Sequence, residues 1–214
     1  MSTHAVLSIM GASGHGRVIA DAAQLSGRWA KVMFYDDAEP GPDSMAEWPV
    51  AGNVSDLISM SPSANHQVIV GIGDNTMRLT HHKKFKALGW TMATVVHPSA
   101  TISPHANVCS GSIVMAGVVI NVGAFVDEAC IVNTCASIDH DCHLGQGVHI
   151  SPGAVLAGTV MVGSRAWIGA GSVVINNINI GDDAILGAGS TAIRDIASDS
   201  VAVGSPASVI KSNK

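Results

Sequence analysis

Aliphatic side chains recur at every sixth position from Ile102 through Val108, Val114, Ile120, Val126, Val132, Ile138, Leu144, Ile150, Leu156, Val162, Ile168, Val174 and Ile180 to Leu186. Four residues after each stands a second, mostly small residue, as at Ala106, Ser112, Ala124, Cys130, Ala136, Cys142, Ala154, Ala166, Ser172 and Ala184. A period of six matches neither an amphipathic helix nor a plain strand, so it predicts a repeat architecture. The small residue and the next aliphatic residue are two apart, so both point inward from a short strand while the residue between them points outward. The other three residues make a corner. Asn, Asp or Gly directly after the aliphatic residue, at Asn121, Asp127, Asn133, Asp139, Gly145, Gly163, Gly169, Gly181 and Gly187, predicts unusual backbone angles there. Each hexapeptide is then one side of a coil.

The first 97 residues follow another pattern. An apolar strand from Ala5 to Met10 runs into Gly11-Ala12-Ser13-Gly14-His15-Gly16, and helical character follows from Arg17 to Ala23. A second strand, Lys31 to Tyr35, ends at Asp36-Asp37, and a third, Gln67 to Ile72, ends at Gly73-Asp74-Asn75. Strands alternating with helical segments predict a Rossmann-like α/β domain with a parallel sheet, whose ligands bind beyond the carboxyl ends of the strands. Gly11, Ser13, Gly14, His15, Gly16, Asp36, Asp37, Gly73, Asp74 and Asn75 are the candidate substrate-binding residues there. The glycine spacing, G-x-x-G-x-G, departs from the dinucleotide fingerprint and disfavours a nicotinamide cofactor. Backbone N–H groups at a helix N-terminus still offer an anion site, which suits phosphate. Asp36 is placed to accept hydrogen bonds from a ribose or a base. His97-Pro98-Ser99-Ala100 joins the halves, which gives two domains, 1–97 and 98–214.

Charged residues make up 13% of the 214, aromatic residues 4%, and the formal net charge is -5. No Lys/Arg cluster forms a phosphate-binding stripe, so no nucleic-acid partner is expected. The 47% hydrophobic fraction belongs to the inward positions of the coils, and no run reaches the roughly 18 apolar residues of a membrane span. Met1 to Met10 reads as a first strand and not as a signal peptide. Cys109, Cys130, Cys135 and Cys142 lack disulfide or CxxC spacing, which fits packing in a reducing cytoplasm.

The hexapeptide half resembles the hexapeptide-repeat acyltransferases, whose left-handed parallel β-helix takes three hexapeptides per turn; fifteen would make about five turns. GASGHG, the strand ending in YDD, GIGDN with Arg78 soon after, HPSA and the closing VGSPAS, in that order, cover nearly the whole chain. Together they resemble the bacterial nucleotide-sugar N-acetyltransferases of the bacillosamine pathway and the related sialic acid O-acetyltransferases. The first is the nearer match, through the run from Asn133 to Cys142. The resemblance implies an acetyl-CoA-dependent enzyme that acetylates the amine of a UDP-linked 4-amino-4,6-dideoxy sugar, held by the N-terminal domain, in a homotrimer with shared active sites. O-acetylation of a sialic acid or related sugar is the alternative, and a non-catalytic sugar-nucleotide sensor is a third class.

Amide formation from a thioester needs a base for the ammonium, donors for the developing oxyanion, and alignment of the two substrates. A histidine beside a carboxylate meets the first need. By resemblance His140 is the general base and Asp141 its partner, although Asp139 also stands next to it. The resemblance further places His149 on the acetyl donor, the Gly158 N–H toward the thioester oxygen, and Gly204 and Pro206 at the adenine end of the coenzyme. His143 shares the outward phase of His149 and is expected at the surface. No acyl-enzyme and no metal are expected, and the zinc-dependent carbonic anhydrases built on the same repeat do not match the positions of His105, His140, His143 and His149.

Overall fold

The computed structural model describes residues 4–38 and 47–213. The chain divides into two compact units, Met1–Pro98 and Ser99–Lys214.

The first unit is built on a five-stranded, wholly parallel sheet of β1 (His4–Met10), β2 (Trp29–Tyr35), β3 (Val50–Gly52), β4 (His66–Val70) and β5 (Thr91–Met92), in the order β3-β2-β1-β4-β5. Among the described residues three helices connect them: α1 (Gly14–Ser26), α2 (Val54–Ser59) and α3 (Asn75–Ala87). The central strand β1 is buried from Leu7 to Met10, as a parallel strand covered on both faces must be. Strand order reverses across β1, so the crevice at the carboxyl ends of β1 and β4 is the topological switch point. The three expected strands are present with shifted ends, the third stopping at Val70 and not at Ile72. β3 and β5, three and two residues long, are too short to carry a pattern. Helix α1 starts earlier than the sequence predicts. Ser13 stands in extended conformation at its N-cap and its carbonyl accepts the Arg17 N–H at 3.0 Å, so Gly14, His15 and Gly16 form the first turn.

The second unit is a left-handed parallel β-helix of two-residue strands. Val119 pairs with Ser137, Ser137 with Val155, and Val155 with Val173, a register of 18 residues, or three hexapeptides per coil. Phe125-His143-Met161-Asn179 and Ile131-His149-Trp167-Ile185 form the outward ladders of the other two faces. From Val114 to Leu186 every aliphatic residue of the six-residue period is buried, whereas Ile102 and Val108 in the first coil are half-buried.

The corners differ from expectation. Left-handed backbone falls three residues after the aliphatic position, at Ala129, Cys135, Asp141, Thr159, Arg165, Asn177 and Asp183 and at Gly111, Gly117, Gly123, Gly147, Gly153, Gly171 and Gly189. Glycine directly after the aliphatic residue answers a different need, close approach between coils. A Cβ on Gly163 would lie 2.5 Å from the Asp182 nitrogen, and one on Gly169 2.5 Å from that of Ala188. Beyond the last coil, Ser200–Gly204 adds in parallel to Ile185–Leu186 and Ala207–Ser212 folds back antiparallel, with a cis Ser205–Pro206 peptide in the turn. Among the described residues no helix is long and apolar enough to cross a membrane.

Candidate active site

His140 stands at a corner of the β-helix, between the Ser137–Ile138 and His143–Leu144 strands, with about half its side chain exposed. Its Nδ1 lies 2.9 Å from Asp141 Oδ2. A charged carboxylate there accepts an Nδ1–H and leaves Nε2 as the free basic nitrogen. The hydrogen bond to Asp141, reinforced by the charges of Asp139 and Asp141, holds the His140 pKa above the ordinary imidazole value. Asp139 does not touch the ring. Its Oδ1 accepts the His140 backbone N–H at 2.8 Å and an Asn121 Nδ2–H at 2.9 Å, and these donors hold its carboxyl below the usual range. Of the two carboxylates beside the histidine, Asp141 orients the ring and Asp139 fixes the main chain.

Asp141 takes up its position because its own φ is +58° and because Gly123, one coil earlier, leaves room. A Cβ on Gly123 would lie 2.2 Å from Asp141 Oδ1. Gly158, one coil later, makes the same allowance for His140, since its Cβ would stand 2.4 Å from Nε2 and 2.6 Å from Cε1. The free imidazole nitrogen therefore faces the backbone of Gly158. At the equivalent place in other corners the N–H is taken by a side chain: Glu128 by Asp127, Thr134 by Asn133, and Ser164 by Asp182, at 2.7 to 2.8 Å. Ala157 precedes Gly158 and offers no acceptor, so that N–H is not consumed by its own corner.

His149 lies on another face, half-buried, its Nε2 3.3 Å from Asn133 Nδ2 and its ring stacked on Trp167 with centroids 5.7 Å apart. His143 is not a bare surface histidine; it is half-buried and stacks on Phe125 at 4.8 Å. Gly204 and Pro206 sit in the C-terminal hairpin turn, where the Gly204 N–H donates to Ser190 Oγ at 3.0 Å. Cys130 and Cys142 are buried and Cys135 is exposed; all are free thiols, and burial raises the Cys142 pKa. Among the described residues no cluster of His, Cys, Asp or Glu has the arrangement of a metal site.

In the first unit the candidate residues gather at the carboxyl end of the sheet, but several are already engaged in holding their loops. Asp36 accepts the Ala12 N–H of the glycine turn on Oδ2 at 2.6 Å and the Ala38 N–H on Oδ1 at 2.9 Å. Asp37 accepts the Val54 N–H, Asp74 caps α3 through the Met77 N–H, and Asn75 Oδ1 accepts from the buried Arg78, which also donates to the Ile72 and Gly73 carbonyls. Gly11 and Gly16 serve packing, since a Cβ on Gly16 would lie 2.0 Å from the Gly11 oxygen. Gly14 and Gly73 are different: among the described residues, and apart from its own helix backbone for Gly14, neither has a heavy atom within 4 Å of a Cβ position. Ser13 is exposed beside them. His15 lies in the first turn of α1 with a buried Nε2 that has no hydrogen-bond partner among the described residues, and burial together with the nearby Arg78 charge lowers its pKa to about 4.

Sequence reasoning passed over Asn121, Gly123, Asn133 and Trp167. The signal was present, because three hexapeptides per turn stack residues 18 apart: Asn121 under Asp139, Gly123 under Asp141, and His149 under Trp167.

Residues 6–85 match the family model of the PglD N-terminal domain. The acetyltransferase domain of PglB from Neisseria gonorrhoeae FA1090, solved with acetyl coenzyme A, is 36% identical with a TM-score of 0.92, the match covering 96% of this chain and 98% of that one. PerB from Caulobacter crescentus, solved with CoA and GDP-perosamine, is 35% identical with a TM-score of 0.86 over 96% of this chain and 97% of that one. WeeI from Acinetobacter baumannii AYE, at 22% identity and a TM-score of 0.85 over 96% of this chain and 99% of that one, shares the fold. The glycine turn with its parallel sheet, the 18-residue coils and the His140–Asp141 corner thus occur together in a chain that belongs to the PglD family of bacterial nucleotide-sugar acetyltransferases.

Proposed function

We propose that this chain transfers the acetyl group of acetyl-CoA to the amine of a UDP-linked 4-amino-4,6-dideoxy sugar, by direct attack and with His140 as general base. The observation that carries the reading is the His140 Nδ1–Asp141 contact at 2.9 Å, with the opposite nitrogen facing the Gly158 backbone. In this mechanism Nε2 takes a proton from the sugar ammonium, and the amine nitrogen attacks the thioester carbonyl carbon. The Gly158 N–H donates to the oxyanion, which collapses to the amide as the second amine proton passes to the departing sulfur and CoA leaves as its thiol. Asp141 keeps the imidazole in the tautomer with Nε2 free and stabilises the imidazolium that forms. His140, exposed and tuned by a carboxylate, needs no metal or acyl-enzyme for these steps.

PerB and PglB, solved with CoA or acetyl coenzyme A, support the donor assignment. His149, Gly204 and Pro206 are assigned to its path, with Trp167 extending the His149 platform. The α/β unit is assigned to the sugar nucleotide. Phosphate would approach the α1 N-terminus at Gly14, where the fold leaves open space, and the Asp36 oxygens keep second lone pairs for a ribose or base. UDP follows the resemblance to the bacillosamine-pathway enzymes, and the GDP-perosamine bound by PerB makes GDP-linked amino sugars the competing class.

The working unit is proposed to be a cytoplasmic homotrimer. Val119, Val155 and Val173, with Ser137 between the first two, stand in one outward ladder of the β-helix, and a second copy would cover these exposed valines. Incubation with acetyl-CoA and a panel of UDP- and GDP-linked amino sugars, read by free thiol and product mass, tests the reaction. One added acetyl group on the amine is expected. Thiol release only with hydroxyl acceptors would favour the O-acetyl reading, and ligand binding without transfer would favour a sensor.

A further inference from the structure

We infer that Asn121 is a positioning residue for His140, acting through Asp139 from the preceding coil. The inference rests on His140 being the base, and its test separates the two.

Half of the His140 side chain is exposed, so packing alone does not hold the ring in place. Two hydrogen bonds orient it: Asp141 at Nδ1, and Asp139 at the backbone N–H from which the side chain departs. The Asp139 oxygen that accepts this N–H is the same one that accepts the Asn121 amide, at 2.8 and 2.9 Å. Two donors converging on one oxygen fix the rotamer of Asp139, and with it the corner that aims His140.

Elsewhere a corner closes differently: Asn133 Oδ1 accepts the Thr134 N–H at 2.8 Å, and the second donor on it is the Thr134 hydroxyl, at 3.4 Å, from the same corner. Asn121 sends its amide one coil onward, to the aspartate beside the base. The asparagine is chemically apt, because only its NH2 end can meet a carboxylate oxygen. Its hydrogen bond also holds the Asp139 carboxylate in place beside the base, and the charge of that carboxylate is one cause of the raised His140 pKa. Asn121 thus bears on the aim of the base and, more weakly, on its basicity.

The test uses Asn121→Leu, which keeps the branched outline of the side chain, somewhat enlarged, and removes the donor, and Asp139→Asn, which keeps the acceptor oxygen and removes the charge. Rates are measured across pH with acetyl-CoA and the amino-sugar nucleotide that the panel identifies, and melting temperatures are taken alongside. Asn121→Leu should lower kcat about tenfold with both KM values within about twofold, the cost of a small misplacement. Asp139→Asn should keep most of kcat. In both, the acidic limb of kcat/KM should move to lower pH, because a charge that raises the His140 pKa is released or lost. Wild-type kcat and an unmoved limb in Asn121→Leu would overturn the inference. So would a fall in kcat that tracks a lower melting temperature with the limb unmoved, the mark of a merely structural role. If His140→Ala itself turns over normally, the base is elsewhere and the reading beneath the inference fails instead.

Discussion

Replacing Gly158 by Ala would disturb the base without touching it chemically. The new Cβ would lie 2.4 Å from His140 Nε2, where about 3.5 Å is needed, so the ring must move by roughly 1 Å. The backbone cannot easily yield in its place: the Gly158 carbonyl accepts the Asn177 N–H at 3.1 Å, and the His140 carbonyl accepts the Thr159 N–H at 2.9 Å. Gly158 is outside the left-handed region, so alanine adds no backbone strain. A 1 Å shift away from Gly158 compromises the 2.9 Å contact with Asp141 and misaligns Nε2. Misplacement on that scale costs about 10²-fold in kcat/KM, or about 2.7 kcal/mol of transition-state stabilisation. The assay is the initial rate of CoA thiol release at subsaturating amino-sugar nucleotide, with melting temperature and CoA binding by calorimetry as controls. Melting within a few degrees of wild type and retained CoA affinity are expected. A Gly158→Ala enzyme within about threefold of wild-type kcat/KM would refute the placement of the base over this glycine.

Asp141→Asn removes the main cause of the raised His140 pKa. A base works when deprotonated, so the acidic limb of the kcat/KM profile should move to lower pH while the plateau falls; an unmoved limb would detach Asp141 from the titration. Gly14→Val should raise KM for the sugar nucleotide and leave that for acetyl-CoA unchanged, because the fold leaves that space open, whereas Gly16→Ala should lower the melting temperature through contact with the Gly11 oxygen; the reverse pattern would exchange their roles. The His15 pKa of about 4 lies below the 6.5 of an unfolded histidine, so its contribution is full above pH 6.5 and is lost as pH falls toward 4, about 3 kcal/mol in all. In urea unfolding, wild type should therefore lose stability relative to His15→Phe between pH 7.5 and pH 4.5, and a constant difference would remove His15 from the acid response. Ala154→Leu should cost roughly 1–3 kcal/mol by overpacking the coil interior, where Ala154 is fully buried, and unchanged melting would contradict the inward phase.

The six-residue period was enough to specify the coils, because strand parity is a local property: alternate side chains face alternate sides whatever surrounds them. The 18-residue stacking that brings Gly158 to His140 and Asn121 to Asp139 did not follow from the period; it needed three hexapeptides per turn, which the family resemblance supplied and the strand register bears out. The glycine turn and the acidic strand ends pointed to the crevice for a similar reason, since parallel strands carry their following loops to one edge. Residue order left undecided which aspartate meets the imidazole, and it put the left-handed corner residue two positions too early. Both depend on backbone dihedrals. Asp141, at φ +58°, turns its carboxylate to Nδ1 over the gap left by Gly123, while Asp139 closes the corner on a main-chain N–H. Likewise Asp36 lies where the sequence placed it, yet tertiary structure commits both its oxygens to loop amides that are 24 and 2 residues away. Sequence by itself determined which residues reach each corner and each strand end, because that follows from repeat and parity. Only the tertiary structure decided where their polar atoms point, because neighbouring coils and loops compete for each donor and acceptor.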